Sequence, residues 1–349
     1  YYRKYKDHFV RNRKNQFVFA NEYNPLAAKA YSENYPDIPM KNCDIKSLKE
    51  SDIRKWIGSE PVDLIIGGPP CQSFSTVGQR NYDEKAQLYT EYLRVLKIAR
   101  PKMFLFENVR GILSMREIFY KRDAAGNILY ELKDVEGRES LTPRKKPVID
   151  HYGKSVMEIL NDQFSNLGNG LGYNIWTERL NAMDYGVPEN RERVFIVGIR
   201  NDLNLKWNCP PKEKSAHLTI KDAISDLPEV LEGQSISSYQ QLPQNKYQEL
   251  MRHGSNELTQ HFCGCYSEKI RAVIQHVKQG EGKNEFNALV DSGKIDKSYR
   301  LTSGYANTYG RLIADQPSPT ITNNLTTVSS LRLSLIHISE PTRRRGISY

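Results

Sequence analysis

The chain has 349 residues, 38% of them hydrophobic, with a mean hydropathy of −0.64 and a formal net charge of +9. That length suffices for a sizeable core and two lobes, while no apolar run approaches the roughly 20 residues of a membrane span. Five cysteines, with only Cys263 and Cys265 close together, do not resemble a secreted disulfide framework and imply a reducing, intracellular compartment.

In chain order, Phe17–Glu22 reads as a buried strand with a polar end. Pro25–Tyr35 follows as a helix with proline in its first turn and Leu26, Ala27, Ala30 and Tyr31 on one face. A short strand leads to Asp44. Ser47–Ile57 is predicted as a helix capped by Ser47, with Glu50 three residues on. Val62–Ile66 is the next strand, and Gly67-Gly-Pro-Pro-Cys-Gln-Ser-Phe-Ser75 follows it directly. Such a Gly/Pro-rich turn presents a thiol to a ligand instead of burying it. Lys85–Ala99 is a helix ended by Arg100-Pro101, and Met103–Phe106 is an apolar strand ending in Glu107-Asn108.

Strands alternating with helices predict an α/β fold, a doubly wound parallel sheet covered on both faces. Glu22, Asp44, Cys71 and Glu107 each fall just past a predicted strand. Ligands of open α/β sheets bind beyond the carboxyl ends of the strands, so four polar groups converge on the edge where a nucleophile is useful.

Residues 117–150 read as a charged insertion, with a hairpin turn at Asp123–Asn127. Val156–Leu167 is an amphipathic helix. Tyr173–Met183 and Arg193–Ile199 are strands around the loop Asp184–Glu192. From about 201 to 310 the periodicity fades, which predicts a second, irregular region. The charge sits at the ends: residues 1–16 carry +5, residues 333–349 carry +2, and the rest carries +2. It therefore supports a polyanionic partner only weakly.

Three segments in order, Gly67–Ser75, Phe106-Glu-Asn-Val109 and Arg191-Glu-Arg-Val-Phe195, resemble the core motifs of the DNA (cytosine-5) methyltransferases. Phe19-Ala-Asn-Glu22 and Cys43-Asp44-Ile45 are similar to that family's acidic cofactor motifs, and Tyr305–Asn324 to the segment that returns to its catalytic lobe. The resemblance covers about 17–330. It implies a Rossmann-like S-adenosylmethionine-dependent methyltransferase sheet with a smaller target-recognition region. The domains expected are a catalytic domain over 1–200, a recognition region over 201–304 and a return segment over 305–332.

The resemblance also assigns roles. Cys71 is the nucleophile that adds to carbon 6 of cytosine, a step that suits an intrinsically nucleophilic thiolate. Glu107 serves ring nitrogen 3, which calls for a partly buried carboxyl with a raised pKa. Arg191 and Arg193 hold the base carbonyl and phosphate. Glu22 takes the ribose hydroxyls of S-adenosylmethionine, Asp44 its adenine amino group, and Ile45, Pro70 and Leu88 line its site. Gln72, Ser73, Ser75, Arg80 and Asn108 face DNA. A helix N-terminal acid is the plainer alternative for Asp44, and an ordinary sheet-edge arginine for Arg193. Partners expected are duplex DNA, whose cytosine must be flipped out, and a cognate restriction endonuclease. No metal, no membrane and a monomeric cytoplasmic protein of bacterial or phage origin are expected. Cys263-Gly264-Cys265, with His261 and Cys209, lacks the usual zinc spacing.

Three departures stand out. Nothing before Phe17 resembles the family's Gly-rich cofactor turn, and Tyr1–Gln16 is compatible with the helix after it, so the chain is expected to be truncated at its start. The family's last two motifs are not found after Ser330; instead residues from about 333 resemble translated sequencing-adapter read-through, expected to be non-native. Glu189 stands where the family has Gln; a carboxylate beside an anionic backbone is less favourable than an amide, unless a neighbouring arginine ties it up. Alternatives to DNA methylation are the same chemistry on tRNA, a non-catalytic DNA-binding fragment and, more remotely, a cysteine hydrolase. The large 201–304 segment favours duplex DNA over tRNA.

Overall fold

The structure is a computed structural model that describes residues 2–5, 8–11, 16–69, 88–133, 144–255, 257–302, 308–321 and 335. Its elements in order are β1 (Tyr2–Tyr5), β2 (His8–Arg11), β3 (Ala20–Glu22), α1 (Pro25–Asn34), β4 (Met40–Asn42), α2 (Glu50–Ile57), β5 (Leu64–Gly67), α3 (Tyr89–Ala99) and β6 (Met103–Val109). They continue as β7 (Arg116–Tyr120), β8 (Tyr130–Lys133), β9 (Arg144–Pro147), β10 (Ile149–Ser155), α4 (Val156–Ser165), β11 (Tyr173–Asn181), β12 (Glu189–Asn190) and β13 (Glu192–Arg200). The remainder are α5 (Ile220–Ile224), α6 (Lys246–Arg252), α7 (Glu268–His276), α8 (Lys283–Asp291) and β14 (Ser318–Pro319). Two compact units result. A sheet unit holds residues 14–180 and 192–210, and a helical unit holds 1–13, 181–191 and 211–349.

The sheet unit is built on a four-stranded sheet in the order β11-β13-β6-β5. β5 runs parallel to β6 and β13 antiparallel to it. β3 and β4 form a separate parallel pair, and among the described residues no hydrogen bond joins it to β5. Period-two alternation sends Phe104 and Phe106 of β6 to one face. There they meet Tyr92 and Leu96 of α3 and Leu160 and Phe164 of α4, all in one buried cluster. The rings of Phe104 and Phe164 lie 4.5 Å apart, and Tyr92 meets Phe106 edge-on at 5.3 Å. The opposite alternation leaves Leu64 and Ile66 of β5 46% and 67% exposed, so among the described residues β5 is covered on one face.

Several predicted boundaries move. The first strand shortens to Ala20–Glu22, and residues 2–5 and 8–11 form an antiparallel strand pair, not a helix. Ser47 does not cap α2, whose N-cap is Lys49 without a side-chain bond. Ser47 lies inside a 3-10 turn, Ile45–Ser47, which Asp44 caps instead. The reason is tertiary: Arg94 of α3 donates to the carbonyls of Ile45 (2.8 Å) and Leu48 (2.9 Å) and holds the chain in that turn. Helix α4 begins with the capping box Ser155/Glu158. The insertion is an antiparallel arrangement, β7 with β10 and β8 with β9, and Asp123 closes the expected turn through the amides of Ala125 and Asn127.

Short helices punctuate the helical unit. It contains α5 to α8, and Val273, Ile274, Val277, Phe286, Val290, Ile295 and Leu301 form its core. Each helix has five to nine residues, too short for a clear 3.6-residue signal, and packing stabilises them more than propensity. β14 pairs in parallel with β12 and ties residues 318–319 to 189–190.

Candidate active site

The carboxyl ends of β5 and β6 build the centre of the site. Their parallel register sets Gly67 opposite Phe106, which places Glu107 beside Gly68 and Pro69. Gly67 admits no side chain: a Cβ would sit 2.5 Å from the ring of Tyr92. That ring is fixed in turn by its hydroxyl, which donates to the Leu105 carbonyl at 3.1 Å. Burial pushes the Tyr92 phenol well up, so it remains a neutral donor. At Gly68 a Cβ would lie 3.0 Å from Glu107 Oε2, so glycine leaves room for the acid.

Glu107 points to the sheet face opposite Phe106. Its side chain is 37% exposed and forms an ion pair with Arg193, Oε1 to Nε 3.0 Å. Arg193 lies opposite Val109 in the antiparallel register, on the same face as Glu107, and is 17% exposed. A half-open carboxylate with a charge-assisted guanidinium partner can accept or share a proton with a ligand.

Asn108 differs from its expected place. It is 1% exposed, in phase with Phe104 and Phe106, and therefore faces protein and not DNA. Its Nδ2 donates to the Pro69 carbonyl (3.2 Å) and its Oδ1 accepts from the Val109 amide (2.9 Å). It thus clamps the stem of the segment that carries Cys71. Pro70, Cys71, Gln72, Ser73, Ser75 and Arg80 lie outside the described residues. Leu88 stands at the N-cap of α3.

A second group lies at the ends of β3 and β4. Glu22 faces Asn42 across the register, and its Oε1 accepts from the Asn24 amide (2.7 Å). Asn42 Nδ2 donates to the Glu22 carbonyl (2.8 Å) and fixes the strand end. Asp44 is exposed, with Oδ1 on the Lys46 amide (2.9 Å), so it is a cap in this fold. Ile45 packs against Leu48, Ile53 and Ile98. Two carboxylates at adjacent strand ends, beside the exposed side chains of Tyr23 and Leu26, suit a ligand with hydroxyl and amino donors and an apolar ring.

Arg191 belongs to the helical unit. Its amide donates to Asn181 Oδ1 (3.0 Å), and its Nη1 lies 3.6 Å from Glu189 Oε1. Tyr92, Arg94 and Gly68 position this machinery; Tyr92 and Arg94 fall outside the motifs read from the sequence. For Tyr92 the only sequence signal was helical spacing, and for Arg94 there was none. Among the described residues no three His, Cys, Asp or Glu side chains are gathered to hold a metal.

The α/β sheet, with its acid–arginine pair at the carboxyl edge, defines a Rossmann-like fold of the methyltransferase kind. One solved structure, assigned as a DNA modification methyltransferase encoded within an E. coli prophage, shares this fold. It has a TM-score of 0.54 at 21% identity and covers 86% of this chain and 74% of that one. The family described as C-5 cytosine-specific DNA methylase matches residues 6–135 and 146–332, and the chain belongs to this family. The chain is similar to the Type II methyltransferase M.DdeI of Desulfomicrobium norvegicum, 34% identical over 76% of this chain and 56% of that protein. It is also similar to the Type II methyltransferase M.AgeI of Thalassovita gelatinovora, 33% identical over 83% of this chain and 65% of that protein. The chain thus spans between about half and two thirds of these relatives' length.

Proposed function

We propose that the protein methylates carbon 5 of a cytosine flipped out of duplex DNA, as the modification partner of a restriction endonuclease. The observation that carries this reading is the Glu107–Arg193 pair, 3.0 Å apart, set against the Gly68–Pro69 stem that leads into Cys71. The relatives named above are Type II methyltransferases, which supports the same reading.

Carbon 5 of cytosine is a weak nucleophile. The Cys71 thiolate forms a bond to carbon 6 and pushes electron density onto ring nitrogen 3. Glu107 holds a proton at that nitrogen, while Arg193 orients the carboxyl and offers its remaining donors to the base carbonyl. S-adenosylmethionine, when bound, supplies an electrophilic methyl group on a sulfonium. Glu22 holds its ribose hydroxyls, and Asp44 and Ile45 its adenine. Once the activated carbon 5 has taken the methyl group, loss of its proton to a base re-forms the ring double bond, breaks the carbon–sulfur bond and returns the Cys71 thiolate. The recognition region is 201–304. The proposal includes a cytoplasmic, monomeric protein. No helix among the described residues is long and apolar enough to cross a membrane.

Mechanism-based trapping tests the reading. The full-length protein is incubated with S-adenosylmethionine and duplex DNA containing 5-fluorocytosine, in which carbon 5 carries a fluorine in place of the proton that must leave. A covalent adduct is expected in the parent and in Cys265→Ser and is lost in Cys71→Ser. No adduct with any duplex would eliminate the proposal.

A further inference from the structure

Glu189 is a buried carboxylate, 1% exposed. Its Oε1 accepts from the Ile321 amide at 2.7 Å and lies 3.6 Å from Arg191 Nη1. Around it the two segments are laced together. Glu189 and Asn190 pair with Ser318 and Pro319. The Ser318 amide donates to the Pro188 carbonyl (2.9 Å) and Thr320 Oγ1 to the Asn190 carbonyl (3.2 Å). An ionised carboxylate taken out of water is tolerated only with a counter-charge and filled lone pairs. Arg191, 17% exposed, supplies the charge, and Ile321 supplies a hydrogen bond.

We infer that Glu189 is a positioning residue that locks residues 318–321 to the arginine loop and neutralises Arg191, so that Arg191 meets DNA as half of an ion pair and not as a free cation. The DNA part of this inference rests on the function proposed above; the lock does not.

Two measurements on the full-length protein separate them. Hydrogen exchange at the Ile321 amide reads the lock without DNA. Glu189→Gln keeps an acceptor oxygen and keeps the amide protected, whereas Glu189→Ala speeds its exchange at least tenfold. Equal protection in Glu189→Ala and parent would overturn the lock. The salt dependence of duplex binding reads the charge. Glu189→Gln unmasks one cation, so the slope of log affinity against log salt steepens by about 0.9. The double variant Glu189→Gln/Arg191→Gln returns it to the parent value. An unchanged slope in Glu189→Gln overturns the neutral pair, while a parent that binds no duplex at all overturns the proposed function and leaves the lock to the exchange result.

Discussion

The clamp on the cysteine segment can be tested at Asn108. In Asn108→Ala the Pro69 carbonyl loses its donor at 3.2 Å and the Val109 amide its acceptor at 2.9 Å. The site is closed to water, since Asn108 is 1% exposed. Each buried group left without a partner costs about 1–3 kcal/mol. The low end for both gives about 2 kcal/mol, or roughly 30-fold in any equilibrium between an ordered and a released stem. The rate of Cys71 adduct formation on 5-fluorocytosine DNA is therefore expected to fall between about tenfold and a hundredfold. Asn108→Asp keeps the acceptor but sets a carboxylate against the Pro69 carbonyl, and the loss should be as large. Cofactor affinity, read by calorimetry in the same preparations, should stay near the parent value because Glu22 ends β3 and Asp44 caps the turn after β4. An adduct rate within twofold of parent in Asn108→Ala would refute the clamp.

Gly67→Ala drives a methyl group to 2.5 Å from the Tyr92 ring and should cost roughly 1–3 kcal/mol, seen as a lower urea midpoint with unchanged slope; a parent-like midpoint would show that the ring has room to move. Glu22→Ala should weaken S-adenosylmethionine binding while duplex affinity is kept, and equal cofactor affinity in both proteins would remove Glu22 from that role. His261 is buried with Nε2 on the Pro228 carbonyl (2.8 Å), and burial depresses its pKa. The folded state therefore keeps it neutral while the unfolded chain titrates near the ordinary histidine value. Its stabilising contribution is full above about pH 6.5 and is lost as pH falls below that. Urea melts between pH 7.5 and 5.5 should show a decline that is reduced in His261→Gln; identical pH profiles for the two would exclude the residue.

Much of the sheet unit was legible because β-branched and aromatic runs alternate with helical spacing up to Asn108, and because one thiol stands in a Gly/Pro turn. Asn108 itself was legible in principle: counting in twos from Phe104 carries the buried face through Phe106 to residue 108, provided the strand runs on to Val109. The second unit was harder, since five- to nine-residue helices leave little periodicity to read.

Local chemistry in the chain therefore placed Glu22 at the end of β3, Asp44 shortly after β4 and Glu107 near the end of β6. Only the tertiary structure decided how those groups are held. Arg94 turns Asp44 into a cap from 50 residues away, Arg193 reaches Glu107 from a strand 86 positions later, and Ile321 reaches Glu189 across 132. Hydrogen bonds and ion pairs depend on distances of a few ångströms in space, and separation along the chain carries no information about them until the backbone has folded.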